Sequence, residues 1–111
     1  MSLLALVNGR VLTQHGIEPG LAVVIEGRDI VAVVPEANAV DSGAATHDLA
    51  DAYLLPGFID CQVNGGGGVL FNNSPDVDAL RRIGEAHRRF GTTGFLPTLI
   101  SDELHKMKAA I

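Results

Sequence analysis

The sequence predicts an α/β chain: a strand-rich N-terminal part, then alternating strands and helices. Three observations predict it. Two β-branched runs, Leu21 to Glu26 and Ile30 to Val34, flank a short glycine-containing turn. After Pro56-Gly57 the apolar spacing changes from strand-like to helical. The order strand, loop, helix, strand, helix is that of βα units in a parallel sheet.

Leu3 to Val7 and Val11 to Leu12 are apolar and flank Asn8-Gly9, a turn-prone pair. Pro19-Gly20 marks a second turn. Gly27-Arg28-Asp29 joins the two β-branched runs into a hairpin. Pro35 ends the second run, because it has no N–H to give to a ladder. The stretch EANAVDSGAATHD reads as a polar, small-residue connection, followed by a short strand near Asp48 to Ala50.

Phe58 to Val63 is a strand candidate, apolar on both faces at its start, which suits a parallel sheet covered on both sides. Gly65 to Gly68 read as a loop. Ser74-Pro75-Asp76 reads as a helix start, with Ser74 as N-cap and Pro75 at the first helical position. Val77, Leu80, Ile83, Gly84, His87 and Phe90 recur at helical spacing, and Gly91 is a natural stop. Thr92 to Ile100 is a second β-rich run. Ser101-Asp102-Glu103 then starts a helix carrying Leu104, Met107, Lys108 and Ile111. Two βα units cannot close a parallel sheet, and a (β/α)8 barrel needs about 250 residues. The 111 residues are therefore expected to be the N-terminal piece of something longer.

Composition excludes several function classes. Hydrophobic residues make up 47% and charged residues 19%, which suits a packed chain rather than a disordered one. A net charge of -5 gives no basic field for nucleic acid or an anionic membrane. With no Trp and one Tyr, base-stacking platforms are scarce. No apolar stretch approaches the roughly 20 residues of a membrane-spanning helix, and no signal peptide is visible in MSLLALVNGR. The single Cys61 cannot form an internal disulfide, which fits a reducing cytoplasm.

The stretch LLPGFIDCQVNGGGG, Leu54 to Gly68, carries the chemistry. Side chains alternate along a strand, so Phe58, Asp60, Gln62 and Asn64 share one face, and Ile59, Cys61 and Val63 the other. If this strand opens a barrel, Gln62 and Asn64 stand at its C-terminal mouth, where active sites of that architecture lie. The glycines after them let backbone or ligand approach closely. Neutral amides are poor zinc ligands beside imidazole or carboxylate, so water or a substrate group is the better partner for them. Cys61 is expected to be a small buried residue, and Asp60 to hold a structural hydrogen bond. The glycine run lacks the Gly-Lys-Ser/Thr ending of a phosphate loop. His15, His47, His87 and His105 share no ligand spacing. Arg81, Arg82, Arg88 and Arg89 read as a solvated helix face. Thr98 lines the mouth or holds a strand end; both readings stay open.

The stretch resembles the strand that opens the barrel of the N-acetylglucosamine-6-phosphate deacetylases, in the amidohydrolase superfamily. GVLFNN (Gly68 to Asn73) and GTTGFLPTLISDEL (Gly91 to Leu104) resemble the same family. Many amidohydrolases place a metal-binding His-x-His where this chain has Gln62 and Asn64, and the resemblance is to a variant using one metal ion. It implies a small, β-sandwich-like domain over residues 1–54 and the start of a (β/α)8 metal-dependent hydrolase barrel over 55–111, with the boundary near Tyr53 to Pro56. It implies hydrolysis of N-acetylglucosamine 6-phosphate to glucosamine 6-phosphate and acetate by metal-activated water. The divalent ion, zinc or iron, would be held by residues outside this chain, as would the catalytic acid, so the 111 residues alone are expected to be inactive. Site-lining residues within it are Gln62, Asn64 and Gly65. The expected partner is a sugar phosphate, with no nucleic acid and no membrane, and the whole enzyme is expected to be a cytoplasmic homodimer. Two alternatives stay open: another amidohydrolase, or a non-catalytic interaction module, which so small a core would support only by docking on a partner.

Overall fold

The computed structural model describes residues 2–111 and is mixed α/β, with strands predominating. It divides into two compact units, the first ending at Pro56 and the second spanning Gly57–Ile111.

In the first unit, strands β1 (Leu3–Val7), β4 (Leu21–Glu26), β5 (Asp29–Pro35) and β6 (Ala45–Asp48) form one sheet in the order β5-β4-β1-β6. β4 and β5 are the expected hairpin, and β1 pairs antiparallel with β4 and parallel with β6. A second sheet, β3-β2-β7, is built from β2 (Arg10–Thr13), β3 (Gly16–Pro19) and β7 (Tyr53–Leu54). The alternation expected of strands decides the packing. Ala5, Val7, Ala22 and Val24 face one way and form a core with Ala39. On the other side Leu6, Val23, Ile25 and Val33 line an apolar groove with Val11 and Leu54. A bulge opposite Val24 and Ile25 turns Ile30 onto the same face as Val33.

Two expectations fail in this unit. The stretch after Pro35 is not a plain connection, for it forms helix α1 (Glu36–Asp41), and the strand that follows, β6, ends at Asp48 and does not run on to Ala50. Helix α1 has Pro35 at its N-cap with no side-chain cap. What holds it is tertiary: Ala39 is buried against the sheet, and the Glu36 carboxylate accepts the Asn8 N–H at 3.0 Å. Residues 48–51 form a turn, with Ala50 and Asp51 both at positive φ. The Asp48 carboxylate holds that turn by accepting the Ala50 N–H at 2.8 Å and the Asn8 side-chain amide at 2.7 Å.

In the second unit β8 (Phe58–Val63) pairs parallel with β11 (Thr92–Pro97). Between them lies helix α2 (Val77–Arg88), and a short helix α3 (Leu104–Ala109) follows. The core is Val63, Phe71 and Ile83, with Val69, Leu80 and Phe95 packed against it. The glycine run is not wholly loop: β9 (Gly65–Gly66) and β10 (Val69–Leu70) form a small antiparallel ladder. The N-cap of α2 is Asp76 and not Ser74. Its carboxylate accepts the Ala79 N–H at 2.7 Å, and Val77, which the expected register made the first core residue, is exposed. Phe58, Ile59, Leu104 and Phe90 are exposed as well, so the ends of both apolar stripes lie on the surface of this unit. Arg81, Arg82, Arg88 and Arg89 are exposed, as a solvated helix face requires. Among the described residues no helix is long and apolar enough to cross a membrane.

Candidate functional site at the ends of the parallel strands

The polar residues singled out in the sequence gather at the C-terminal ends of β8 and β11. Pro97 opposite Val63 is the last ladder pair. One step further the Thr98 N–H donates to the Val63 carbonyl at 2.8 Å. The Asn64 side-chain Nδ2 then donates to the Thr98 carbonyl at 3.1 Å. Asn64 thus extends the pairing of the two strands past the point where the backbone ladder ends. Thr98 takes the strand-end role: both its backbone groups are engaged, and its hydroxyl donates to the Leu96 carbonyl at 3.2 Å.

Gln62 is exposed beside this pair, and its side chain has no partner among the described residues. Asp60 holds a local bond, its Oδ1 accepting the Gln62 N–H at 3.0 Å. That is the structural role expected of it. Cys61 departs from expectation: it is exposed. Helix α2 covers this strand through Ile83 at the Val63 end, and no described residue closes over Cys61.

Gly65 and its neighbours are glycines for a steric reason. A Cβ on Gly65 would collide with the Val69 carbonyl across the β9–β10 ladder. A Cβ on Gly66 would stand 2.9 Å from the His87 ring nitrogen. That nitrogen, Nε2, lies 2.9 Å from the Gly65 carbonyl, which only accepts, so the proton sits on Nε2. His87 therefore ties the glycine segment to α2. The Phe71 N–H donates to the Asn64 carbonyl at 2.8 Å and closes the base of the segment.

Sequence reasoning missed Asn72 and Asp102. Asn72 is the one buried polar residue of the described chain, at 5% exposure. Its Oδ1 accepts the Ile100 N–H at 2.9 Å, and its Nδ2 donates to the Ile100 carbonyl at 2.8 Å and to Asp102 Oδ2 at 3.0 Å. The Asp102 carboxylate also accepts from Lys106 Nζ at 2.9 Å and from the Glu103 N–H at 2.8 Å. These donors, the Asn72 amide first and then Lys106, hold the Asp102 carboxyl well below the usual carboxylate range. A polar side chain straight after the apolar run Val69 to Phe71 was the available signal for Asn72.

Among the described residues no three His, Cys, Asp or Glu side chains converge as metal ligands. Gln62 and Asn64 are neutral, one Asn64 amide proton is engaged by Thr98, and Asp60 is turned to its own strand. These residues do not hold the metal ion that the resemblance implies.

Comparison with known proteins places this arrangement. No protein-family model matches the chain. It is 39% identical over 104 residues to N-acetylgalactosamine-6-phosphate deacetylase of Shewanella sp. (strain ANA-3), covering 93% of this chain and 26% of that protein. It is 39% identical over 107 residues to N-acetylglucosamine-6-phosphate deacetylase of Haemophilus influenzae, covering 96% of this chain and 28% of that protein. The crystal structure of N-acetylglucosamine-6-phosphate deacetylase from Pasteurella multocida superposes with a TM-score of 0.88 at 37% identity, over 97% of this chain and 28% of that one. The chain spans about a quarter of the length of these relatives. In sequence and in fold, over nearly its whole length, it matches the N-terminal part of the N-acetylglucosamine-6-phosphate deacetylases.

Proposed function

We propose that the chain is the N-terminal part of a hydrolase that removes the acetyl group from an N-acetylhexosamine 6-phosphate, giving the amino sugar phosphate and acetate. The observation that carries this is Gln62-x-Asn64-Gly65 at the C-terminal end of a parallel strand, with Asn64 bonded across to Thr98. The 39% identity to two deacetylases of this substrate class supports it.

In this reading residues 1–54 are the small β-sandwich-like domain, and residues 55–111 begin a (β/α)8 barrel. Gln62, Asn64 and Gly65 line its mouth. Gln62 offers the substrate an unengaged amide. Asn64 keeps its Oδ1 and one N–H for substrate or water beyond the bond to Thr98. Gly65, with no Cβ, lets the β9–β10 ladder close directly behind Asn64. The metal ion, which when bound would polarise the acetamide carbonyl and activate water, belongs to residues outside this chain. A cytoplasmic homodimer completes the reading; Cys61, exposed and unpaired, fits a reducing compartment.

Relatives named for the gluco and galacto epimers both match at 39% identity; two solved deacetylase structures that match are named for the gluco epimer, which makes it the first choice and the galacto epimer the second. The test is the complete native gene product, with acetate release measured on both N-acetylated sugar 6-phosphates. Turnover of either upholds the deacetylase reading, and the larger kcat/KM names the epimer. No turnover of either, with a divalent metal supplied, sinks it.

A further inference from the structure

We propose that Asn72 is a positioning residue for the site lined by Gln62, Asn64 and Gly65, a proposal that rests on the reading above. Asn72 lies on the turn after β10, and its partners lie on the loop after β11. Its amide meets the backbone of Ile100 as a neighbouring strand would: Oδ1 accepts the N–H at 2.9 Å and Nδ2 donates to the C=O at 2.8 Å. The remaining amide proton goes to Asp102 at 3.0 Å. The orientation is fixed, since a flipped amide would set oxygen against both the Ile100 carbonyl and the Asp102 carboxylate. Asp102 is itself held by Lys106 and the Glu103 N–H.

The same loop is fastened at its other end. Asn64 donates to Thr98, two residues before Ile100. Segment 64–72 is therefore tied to segment 98–102 at both ends. The two ties are linked, because the Phe71 N–H, next to Asn72, donates to the Asn64 carbonyl at 2.8 Å. Phe71 stays packed with Val63 and Ile83 in the core, so release of Asn72 acts through the other segment: it loosens Ile100 and, with it, the Thr98 carbonyl that holds Asn64 at the site. Asn72 acts through Asn64 and has no part in the chemistry.

The test uses the complete gene product and four variants: Asn72→Ala, Asn72→Asp, Asp102→Asn and the double variant N72D/D102N. In Asn72→Ala the Ile100 amide exchanges about 5-fold faster or more, the loss of one ordinary hydrogen bond. The Thr98 amide, bonded to Val63, keeps its protection and reports an intact sheet. On N-acetylglucosamine 6-phosphate kcat/KM falls about 10- to 100-fold, the size expected for a misplaced site. Asn72→Asp sets two carboxylates against each other. N72D/D102N restores a donor and acceptor between the two positions with their roles exchanged, and recovers roughly 5-fold or more in kcat/KM over Asn72→Asp. Rescue of this kind separates positioning from a general loss of stability, and it holds even if Asn72→Ala does not fold.

The proposal is overturned by a folded Asn72→Ala enzyme with wild-type kcat/KM, by unchanged Ile100 exchange, or by a double variant no better than Asn72→Asp. If the wild-type product does not deacetylate either sugar phosphate, the activity reading has failed. Faster Ile100 exchange in Asn72→Ala then upholds the tie between the loops, and unchanged exchange overturns that as well.

Discussion

The Asn64 side-chain amide donates to the Thr98 carbonyl at 3.1 Å, across 34 residues of sequence. It joins the ends of β8 and β11 just where their backbone ladder stops. Asparagine suits this place because it offers a donor to the carbonyl and keeps an oxygen free. Histidine or aspartate there would present a different set of groups, and aspartate would present no donor at all.

That bond sets the first prediction. Asn64→Ala removes one partly buried hydrogen bond and lowers stability by about 1 kcal/mol. Asn64→Asp turns a carboxylate toward a carbonyl oxygen and costs more, about 1–3 kcal/mol at neutral pH. Urea unfolding of both variants at pH 7 checks the order. If Asn64→Asp is as stable as wild type, the bond to Thr98 is not what holds the strand ends.

The glycine segment gives the second. Gly65→Ala drives a methyl into the Val69 carbonyl, which is backbone and cannot swing aside; the overpacking costs about 1–3 kcal/mol. Gly68 has open space around it and a φ of +77°, so Gly68→Ala carries only the left-handed penalty of about 1–2 kcal/mol. Melting temperatures are expected to fall further for Gly65→Ala. Equal values would mean that the β9–β10 ladder yields to the added methyl.

Capping supplies the third. Asp76 accepts the Ala79 N–H at 2.7 Å, whereas Ser74 stands before the helix. Asp76→Ala is expected to cost about 1 kcal/mol, and Ser74→Ala to stay within about 0.5 kcal/mol. Thermal unfolding of the two variants distinguishes them; the reverse order would restore Ser74 as the cap.

Much of this fold was legible in the sequence where local chemistry decides structure. The bounds of β1, β4 and β8 follow from an apolar run, a β-branched run and an alternating run stopped by Asn8-Gly9, by Gly27 and by the glycines after Asn64. Helix α1 was hidden because it has no apolar period: one side chain, Ala39, is buried, and the support comes from Asn8, 28 residues away. The sequence signal set the cap of α2 at Ser74, and the backbone places it at Asp76 instead. At the site, strand alternation put Gln62 and Asn64 on one face, and the resemblance pointed to the deacetylases whose N-terminal part the chain matches. The ties of Asn72 to Ile100 and Asp102 span 28 and 30 residues, and no local period records a partner at that range. Cys61 was misread for a related reason, since an alternating strand shows which residues share a face but not whether anything covers it.

Asp102 makes the fourth prediction, one of pH. Three donors stabilise its ionised form in the folded chain, so its pKa lies well below the ordinary aspartate value of 3.8. A depressed carboxyl contributes stability that is fully present above the unfolded pKa and is lost as pH falls toward the folded one. The wild-type advantage over Asp102→Asn is therefore expected to be largest from neutral pH down to about pH 5. It shrinks as the pH falls below 3.8, because the unfolded carboxyl then binds a proton that the folded one refuses. Asparagine at 102 keeps an acceptor for the Glu103 N–H but loses the charge that Lys106 meets. The charge-dependent part should therefore also weaken in high salt, as a half-exposed ion pair does. Urea midpoints of the two proteins at pH 7, 5 and 3 (approximate settings chosen to bracket the transition) measure it. A gap between them that stays constant from pH 7 to 3 would mean that Asp102 titrates normally in the folded chain, and that its bonds to Asn72 and Lys106 do not form in solution.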